Sequence, residues 1–173
     1  MVQSVELVLD GLADAMIREQ WAALAEAGLP SQAHHRSPTN APHITVAEAA
    51  SVDDDVEDRL ASIPARFPLP ITLGPLVVFG SRKFVLVRLV VPNSALLHVH
   101  AAVADAFGES PGQSELLSPG RWVPHVTLAH RLTAEQLGQA VELLASGPMT
   151  YQAEAVAPRR FDSEARRTWI IGT

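Results

Sequence analysis

Two short strings of this chain share the residue types of an acid–base site. Residues 42–47 read Pro, His, Ile, Thr, Val, Ala, and residues 124–129 read Pro, His, Val, Thr, Leu, Ala. Alternate side chains of a β-strand point to one face, so the His and Thr of each string lie roughly 6–7 Å apart along it. Two such strands side by side would gather two imidazoles and two hydroxyls around a small space, which suits proton transfer at a phosphate.

The candidate residues are therefore His43, Thr45, His125 and Thr127. One histidine in a strand is usually structural, but repetition of the whole string favours a shared function for this pair. Histidine can act as base or acid because its ordinary pKa of about 6.5 lies near working pH. Each threonine hydroxyl is a neutral donor that suits a phosphate oxygen. None of the four is a carboxylate, and we expect no metal and no cofactor.

The elements that must position these residues form a repeated order. Apolar runs, capping residues and Gly or Pro stops predict four helices, at 13–27, 51–63, 95–107 and 134–146. They predict strands at 5–9, at the two His-x-Thr strings, and at 71–79, 84–91, 149–157 and 168–171. Each His-x-Thr strand precedes a capped helix and then two strands, which indicates a degenerate duplication within one domain over residues 1–173.

Composition limits the class of protein. The chain has 173 residues, 47% of them hydrophobic, which allows one substantial core. Its net charge of −6 argues against duplex DNA or an anionic membrane as the main partner. With no cysteine there is no thiolate nucleophile, disulfide or Cys-based metal site. No signal-like or membrane-spanning segment is evident, so we expect a cytoplasmic monomer.

Three competing patterns are weaker. Residues 108–112 fit Gly-x-Ser-x-Gly, but Pro111 lacks the N–H that the oxyanion hole of a serine hydrolase requires. His98 and His100 resemble a metal pair, but two residues apart on a helix they point about 200° apart. The arginines of 159–167 could indicate RNA binding, but acidic residues dilute them and a solvated loop is the favoured interpretation.

The paired His-x-Thr strings resemble the 2H phosphoesterase superfamily, and within it the bacterial 2′-5′ RNA ligase-like proteins. The likeness includes the strand at 5–9 and the run 69–91, with Phe79 and Gly80 at its turn. It implies a bilobal α+β fold of two pseudo-symmetric lobes, each with an antiparallel sheet and outer helices, around an active-site groove. It also implies metal-independent opening of 2′,3′-cyclic or 2′-5′ phosphodiesters of nucleotides or RNA ends. By the motif match, His43 and His125 take the catalytic positions, and Thr45 and Thr127 the phosphate-binding ones.

The chain departs from this family at one position. Many members carry Arg or Lys five residues after a motif histidine, where this chain has Glu48 and His130. Arg131 follows, but alternation turns it to the face opposite that of position 130 unless a bulge intervenes. An arginine from elsewhere could replace the missing cation, although a solvated surface charge is the favoured interpretation of each: Arg82, Arg121 and Arg160.

Two functions therefore remain open. The first is a 2H-type cyclic nucleotide phosphodiesterase, with His125 as base and His43 as acid in hydrolysis and the roles exchanged in ligation. The second is a non-catalytic module that binds a nucleotide or phosphate on the same fold. The missing Arg or Lys favours the module, and retention of both histidines and both threonines favours the enzyme.

Overall fold

The computed structural model describes residues 2–53 and 55–172. Short 3₁₀ turns lie at Gln32–His34 and Glu115–Leu117. The described residues form these strands and helices: β1 (Gln3–Leu9), α1 (Gly11–Glu26), β2 (His43–Ala49), α2 (Val56–Ala61), β3 (Leu69–Phe79), β4 (Phe84–Val90), α3 (Ser94–Phe107), β5 (His125–Leu132), α4 (Ala134–Leu144), β6 (Tyr151–Asp162) and β7 (Arg167–Ile170).

The helices begin where side chains can satisfy their first N–H groups. Asp10 accepts from the backbone of α1, Asn93 from that of α3, and Thr133 forms a reciprocal capping box with Gln136 in α4. The predicted caps of α3 and α4 are thus confirmed. No helix among the described residues has the length and apolar character needed to cross a membrane.

Helix α2 is shorter than predicted. It begins at Val56 instead of Ser51, and Asp54, part of the expected cap, lies outside the described residues. Only Val56 and Leu60 of this helix are buried, one turn apart. Because a single apolar pair faces the core, packing supports little helix beyond that turn.

The strands form one antiparallel sheet in the order β2-β1-β6-β3-β4-β5, with β7 added to β6. The predicted α+β class with antiparallel strands is confirmed. The expected division into two lobes with separate sheets is not confirmed, because β3 pairs with β6 from Leu69 opposite Ala155 to Leu73 opposite Tyr151. This ladder joins the group β2-β1-β6 to the group β3-β4-β5.

Strand β6 is longer than predicted and corrects the interpretation of the basic stretch. It extends through Arg159 and Arg160, which are buried instead of lying in a solvated loop. Both arginines pair with β1 on one side and with β7 on the other. Strand β1 comes from the opposite end of the sequence, so local composition gave no sign of this pairing.

The helices cover one face of the sheet and cross between its halves. Helix α1 precedes β2 in the chain but contacts β5 and β6, while α3 precedes β5 but contacts β2 and β3. The strand residues beneath them are apolar and fully buried, as at Leu7, Ile44, Leu86 and Val126. The uncovered face carries the His-x-Thr side chains, as their register partners show below.

Two tryptophans join the ends of the sheet. Strands β2 and β5 are its outermost strands along the pairing order, yet they contact each other. The indole Nε1–H of Trp21 donates to the carbonyl of Thr127 at 2.9 Å, and that of Trp122 donates to the carbonyl of Thr45 at 3.0 Å. An edge strand leaves such carbonyls unpaired, so each indole satisfies one and holds the opposite edge in place.

We expect Trp21→Phe and Trp122→Phe each to lower the free energy of unfolding by about 1–3 kcal/mol, because each leaves a partly buried carbonyl without its donor. Urea unfolding followed by circular dichroism measures this loss. Trp169→Phe is the matched control, since its N–H makes only a long 3.4 Å contact with Glu57. Equal losses in all three variants would contradict a special role for the two indoles.

Candidate active site

His43 and His125 have the same backbone surroundings. Nδ1 of His43 lies 2.7 Å from the carbonyl of Ala41, and Nδ1 of His125 lies 2.7 Å from the carbonyl of Val123. A carbonyl only accepts, so Nδ1 carries the proton in both rings and Nε2 is left for chemistry. Both residues are half-buried. The sequence places them alike because each is the first residue of its strand and follows a proline.

The two rings are close enough to interact electrostatically. Burial lowers the pKa of His125, its bond to the Val123 carbonyl opposes this, and positive charge on His43 lowers the pKa further. Phe79 contributes to the burial with its ring edge-on to His125, at a centroid distance of 5.0 Å. The two sequence-predicted histidines therefore begin two strands, β2 and β5, that contact each other.

The threonines lie beside them on the same face. Thr45 stands opposite Glu6 of β1, and Thr127 stands opposite Val87 of β4. Both threonines are half-buried, and neither hydroxyl has a hydrogen-bond partner within 2–53 and 55–172. The two hydroxyls are therefore available as donors to a bound ligand.

A β-bulge follows the threonine in both strands. The register between β1 and β2 shifts after Thr45, which leaves Val46 as an extra residue, and the register between β4 and β5 leaves Leu128 extra in the same way. A bulge reverses the alternation beyond it. Positions 48 and 130 are thereby returned to the face of the motif histidines.

The two positions that depart from the family pattern, 48 and 130, therefore lie on the sheet face that carries the His-x-Thr side chains. We call this face the groove face. Glu48 pairs with Ser4 on the groove face, and His130 occupies the equivalent position in β5. Arg131 is the extra residue of a second bulge in β5, with φ at 63°, and is exposed. His130 keeps an exposed side, yet loss of solvent and then the charges of His125 and His35 lower its pKa.

A buried carboxylate makes the two halves of the site unequal. Glu6 is 5% exposed, and its Oε1 lies 3.5 Å from Nε2 of His43. Nε of Arg159 donates to Oε2 at 2.7 Å, and the hydroxyl of Ser4 donates to Oε1 at 3.1 Å. The register places Val87 at the equivalent position beside Thr127. His43 therefore faces an anion, whereas the corresponding strand residue near His125 is apolar.

Sequence reasoning named three arginines as substitutes for the missing cation and overlooked Arg159. Arg82 is exposed in the β3–β4 turn. Arg160 is buried and pairs with Glu57 of α2 at 2.9 Å, so it is neither a solvated charge nor on the groove face. Arg159, one residue earlier, lies on the groove face opposite Glu6. Strand alternation continued through residues 158–162 would have placed Arg159 on this face, but the predicted strand ended at residue 157.

An apolar pocket adjoins His125. It has a volume of about 320 Å³ and is lined mainly by Phe79, Leu116, Leu117 and Val123. Arg121, the remaining candidate cation, stands at this pocket and pairs with Glu115 at 3.0 Å. The pocket offers apolar contact area immediately beside His125. The Nδ1 atom of that ring is held by a carbonyl, and its Nε2 atom is not.

The competing motifs have structural roles. His100 is buried, stacks on Trp122 at a centroid distance of 4.1 Å, and contacts the carbonyl of Leu117, while His98 is exposed. Ser110 donates to the carbonyl of Phe107 within a turn. Among the residues that the structure describes, no cluster of three or more His, Cys, Asp or Glu could hold a metal ion.

Comparison with known proteins supplies the family. A model of the 2′-5′ RNA ligase superfamily matches residues 13–164. No curated protein sequence matches the chain significantly.

Solved structures resemble the whole chain. A phosphoesterase crystal structure shares 19% identity, with coverage of 97% of this chain and 92% of its own and a TM-score of 0.55. Usb1 of Kluyveromyces marxianus, solved with uridine monophosphate, shares 11% identity, with coverage of 98% and 97% and a TM-score of 0.53. LigT of E. coli, solved with 3′-AMP, shares 17% identity, with coverage of 99% and 97% and a TM-score of 0.49.

At these identities the first two structures establish the fold alone. The family model spans most of the chain and includes both His-x-Thr strings, which agrees with the resemblance seen in the sequence. The protein accordingly belongs to the 2′-5′ RNA ligase superfamily of 2H phosphoesterases.

Proposed function

We propose that this protein is a metal-independent phosphodiesterase that opens 2′,3′-cyclic or 2′-5′ phosphodiesters of nucleotides or RNA ends. One observation carries the proposal: the Nδ1 atoms of His43 and His125 are held by equivalent carbonyls, which leaves both Nε2 atoms for the groove. An acid and a base are what ester opening at phosphorus requires. Because this pair can supply both, no metal is needed to activate water.

The surroundings of His43 and His125 differ, and we use this difference to propose which histidine is the base and which is the acid. His125 has a lowered pKa, so it is neutral near pH 7 and serves as the base. Nε2 of His43 lies 3.5 Å from the carboxylate Oε1 of Glu6, and His43 takes the role of the acid. The hydroxyls of Thr45 and Thr127 donate to the nonbridging oxygens of the phosphate.

The hydrolytic step is a proton-balanced displacement. Nε2 of His125 takes a proton from water as the water oxygen bonds to phosphorus. The bond from phosphorus to the leaving ribose oxygen breaks, and Nε2–H of His43 protonates that oxygen. Exchange with solvent then returns both rings to their starting states. The ligating direction reverses each transfer.

The apolar pocket next to His125 suits the base of the nucleotide. Its lining offers contact area but few hydrogen-bonding groups, so we propose weak discrimination between bases. Usb1, whose fold is similar, was solved with a mononucleotide, which agrees with a nucleotide-sized ligand.

A non-catalytic nucleotide- or phosphate-binding module is the second candidate. The observation that favours it is the presence of Glu48 and His130 on the groove face at the positions where many relatives have a cation. A wild-type protein that binds 2′,3′-cyclic nucleotides without opening them in the presence of chelator would establish this alternative.

Replacing His43 or His125 by Ala should lower kcat/KM for 2′,3′-cyclic nucleotides roughly 10²–10⁴-fold, the range for a positioned acid or base. The double variant should lose much less than the product, because the residues act as a unit. Thr45→Ala and Thr127→Ala should lose less, since each removes one hydrogen bond. Assays with chelator present measure this, and exposed His98→Ala is the matched control. Wild-type turnover by His43→Ala would refute the two-histidine mechanism.

Glu6→Gln should lower kcat/KM for 2′,3′-cyclic nucleotides, because it removes the carboxylate that lies 3.5 Å from Nε2 of the proposed acid His43. The acidic limb of the pH–rate profile reports the base. Because the pKa of His125 is lowered, that limb lies below the ordinary value of 6.5 and should change little. Glu57→Gln, which removes a carboxylate on the other face, is the control. An unchanged kcat/KM in folded Glu6→Gln protein would remove Glu6 from the proposed site.

A further inference from the structure

Arg159 is a buried cation on the groove face, and the proposed hydrolysis gives it no part so far. It is 8% exposed, whereas the next residue, Arg160, is buried on the opposite face against α2. In the sheet, Arg159 lies opposite Glu6, and Glu6 in turn lies opposite Thr45. These three residues form one row across β6, β1 and β2, whose neighbouring strands are about 4.8 Å apart. Arg159 is therefore two strands away from a threonine that we propose to bind phosphate.

The carboxylate of Glu6 shows how near Arg159 lies to His43. Its Oε1 is 3.5 Å from Nε2 of His43, and its Oε2 accepts from Nε of Arg159 at 2.7 Å. The two side chains are thus separated by the width of one carboxylate. The O–P–O unit of a phosphate has a similar width, and hydrogen bonds add roughly 3 Å at each end. A phosphate held at Nε2 of His43 is therefore within reach of the guanidinium of Arg159.

The protein uses only one of the five N–H groups of the Arg159 guanidinium. Nε donates to Glu6, and neither Nη atom forms a hydrogen bond with any residue of 2–53 or 55–172. In this part of the chain, the fully buried side-chain nitrogens that lack a hydrogen bond are Nε and Nη1 of Arg160. The Nη atoms of Arg159 are therefore accessible to solvent. Because Glu6 fixes Nε, the remaining donors of this planar fork are held in a defined orientation.

The charges on the groove face call for a cation. Glu48 occupies a position where many relatives carry Arg or Lys, and Glu6 adds a second carboxylate to the same face. Carboxylates repel a phosphate, so a positive charge must offset them. Of the buried arginines in the part of the chain that the structure describes, Arg159 is the one on this face. Arg88 and Arg160 instead bond to side chains of α1 and α2 behind the sheet.

We propose that Arg159 is the phosphate-binding cation of this site and that its Nη donors hold a nonbridging oxygen of the reacting phosphate. The planar fork of a guanidinium matches phosphate oxygens. The charge comes from β6, whereas many relatives carry it on a motif strand. Donors that are fixed where negative charge develops in the transition state lower the barrier to reaction. The inference rests on the proposed function and adds a catalytic residue to it.

The main test removes Arg159 without leaving the buried carboxylate unpaired. It compares Glu6→Gln with the double variant Glu6→Gln/Arg159→Gln. The double variant should have a kcat/KM for uridine 2′,3′-cyclic phosphate about 10²-fold lower than Glu6→Gln alone, because it loses donors to the transition state. Glu6→Gln/Arg160→Gln is the matched control, the same change one residue along β6 on the other face, and should keep the kcat/KM of Glu6→Gln. Equal kcat/KM in all three variants would show that Arg159 only neutralises Glu6, and would overturn the assignment.

Binding separates a contact with phosphate from a structural role. Isothermal titration of Glu6→Gln and of the double variant with uridine 3′-phosphate and with uridine compares a charged and a neutral ligand. Loss of Arg159 should weaken binding of the phosphate about tenfold and leave that of uridine unchanged. Equal weakening for both ligands would indicate a structural role and refute the contact.

A second variant keeps the test decisive if the double variant does not fold, as judged by circular dichroism. Arg159→Lys keeps a positive charge beside Glu6 but lacks the fork of donors. It should bind uridine 3′-phosphate about tenfold more weakly than wild type, with the affinity for uridine unchanged. Wild-type affinity for uridine 3′-phosphate in this variant would overturn the proposal.

Failure of the proposed function gives a different result from failure of this inference. If wild type opens no 2′,3′-cyclic substrate, the phosphodiesterase assignment fails, and binding alone decides the role of Arg159. The preference for uridine 3′-phosphate over uridine should still fall about tenfold when Arg159 is replaced in the Glu6→Gln background. An unchanged preference would refute the phosphate contact as well.

Discussion

The site depends on two hydrogen bonds from tryptophan indoles. They hold β2 and β5 close together, although these two strands do not pair with each other. β2 and β5 lie at opposite ends of the pairing order, and indole donors from Trp21 and Trp122 link each to the segment that precedes the other. An unpaired edge carbonyl is costly to bury, so each indole both satisfies a polar group and holds the distance between the edges. The contact between β2 and β5, and with it the approach of His43 to His125, depends on this closure.

Within this closure, symmetric backbones carry unequal side chains. Both motif strands place Nδ1 of histidine on a carbonyl two residues back, and both have a bulge directly after threonine. The exchange of Glu6 for Val87 at equivalent positions breaks this symmetry. The two motif strands thus position two identical groups, and the difference at one neighbouring position sets a carboxylate beside His43 and an apolar side chain beside Thr127.

One flank of the groove is apolar. The pocket beside His125 is lined mainly by Phe79, Leu116, Leu117 and Val123. Such a surface suits the base of a nucleotide, which connects this flank to the proposed substrate. On the groove face itself, Glu48 and His130 stand at the positions where many relatives carry a cation.

The sequence by itself determined the motif residues, the capped helices α3 and α4, the β3–β4 hairpin and the antiparallel α+β class. These features depend on adjacent residues: alternation, caps and turns act over a few positions. Only the tertiary structure decided that His130 faces the groove, that Arg159 and Arg160 are buried on opposite faces, and that Glu6 meets His43. Each of these depends on a register between segments far apart in the chain, and a one-residue shift reverses the face of every side chain beyond it.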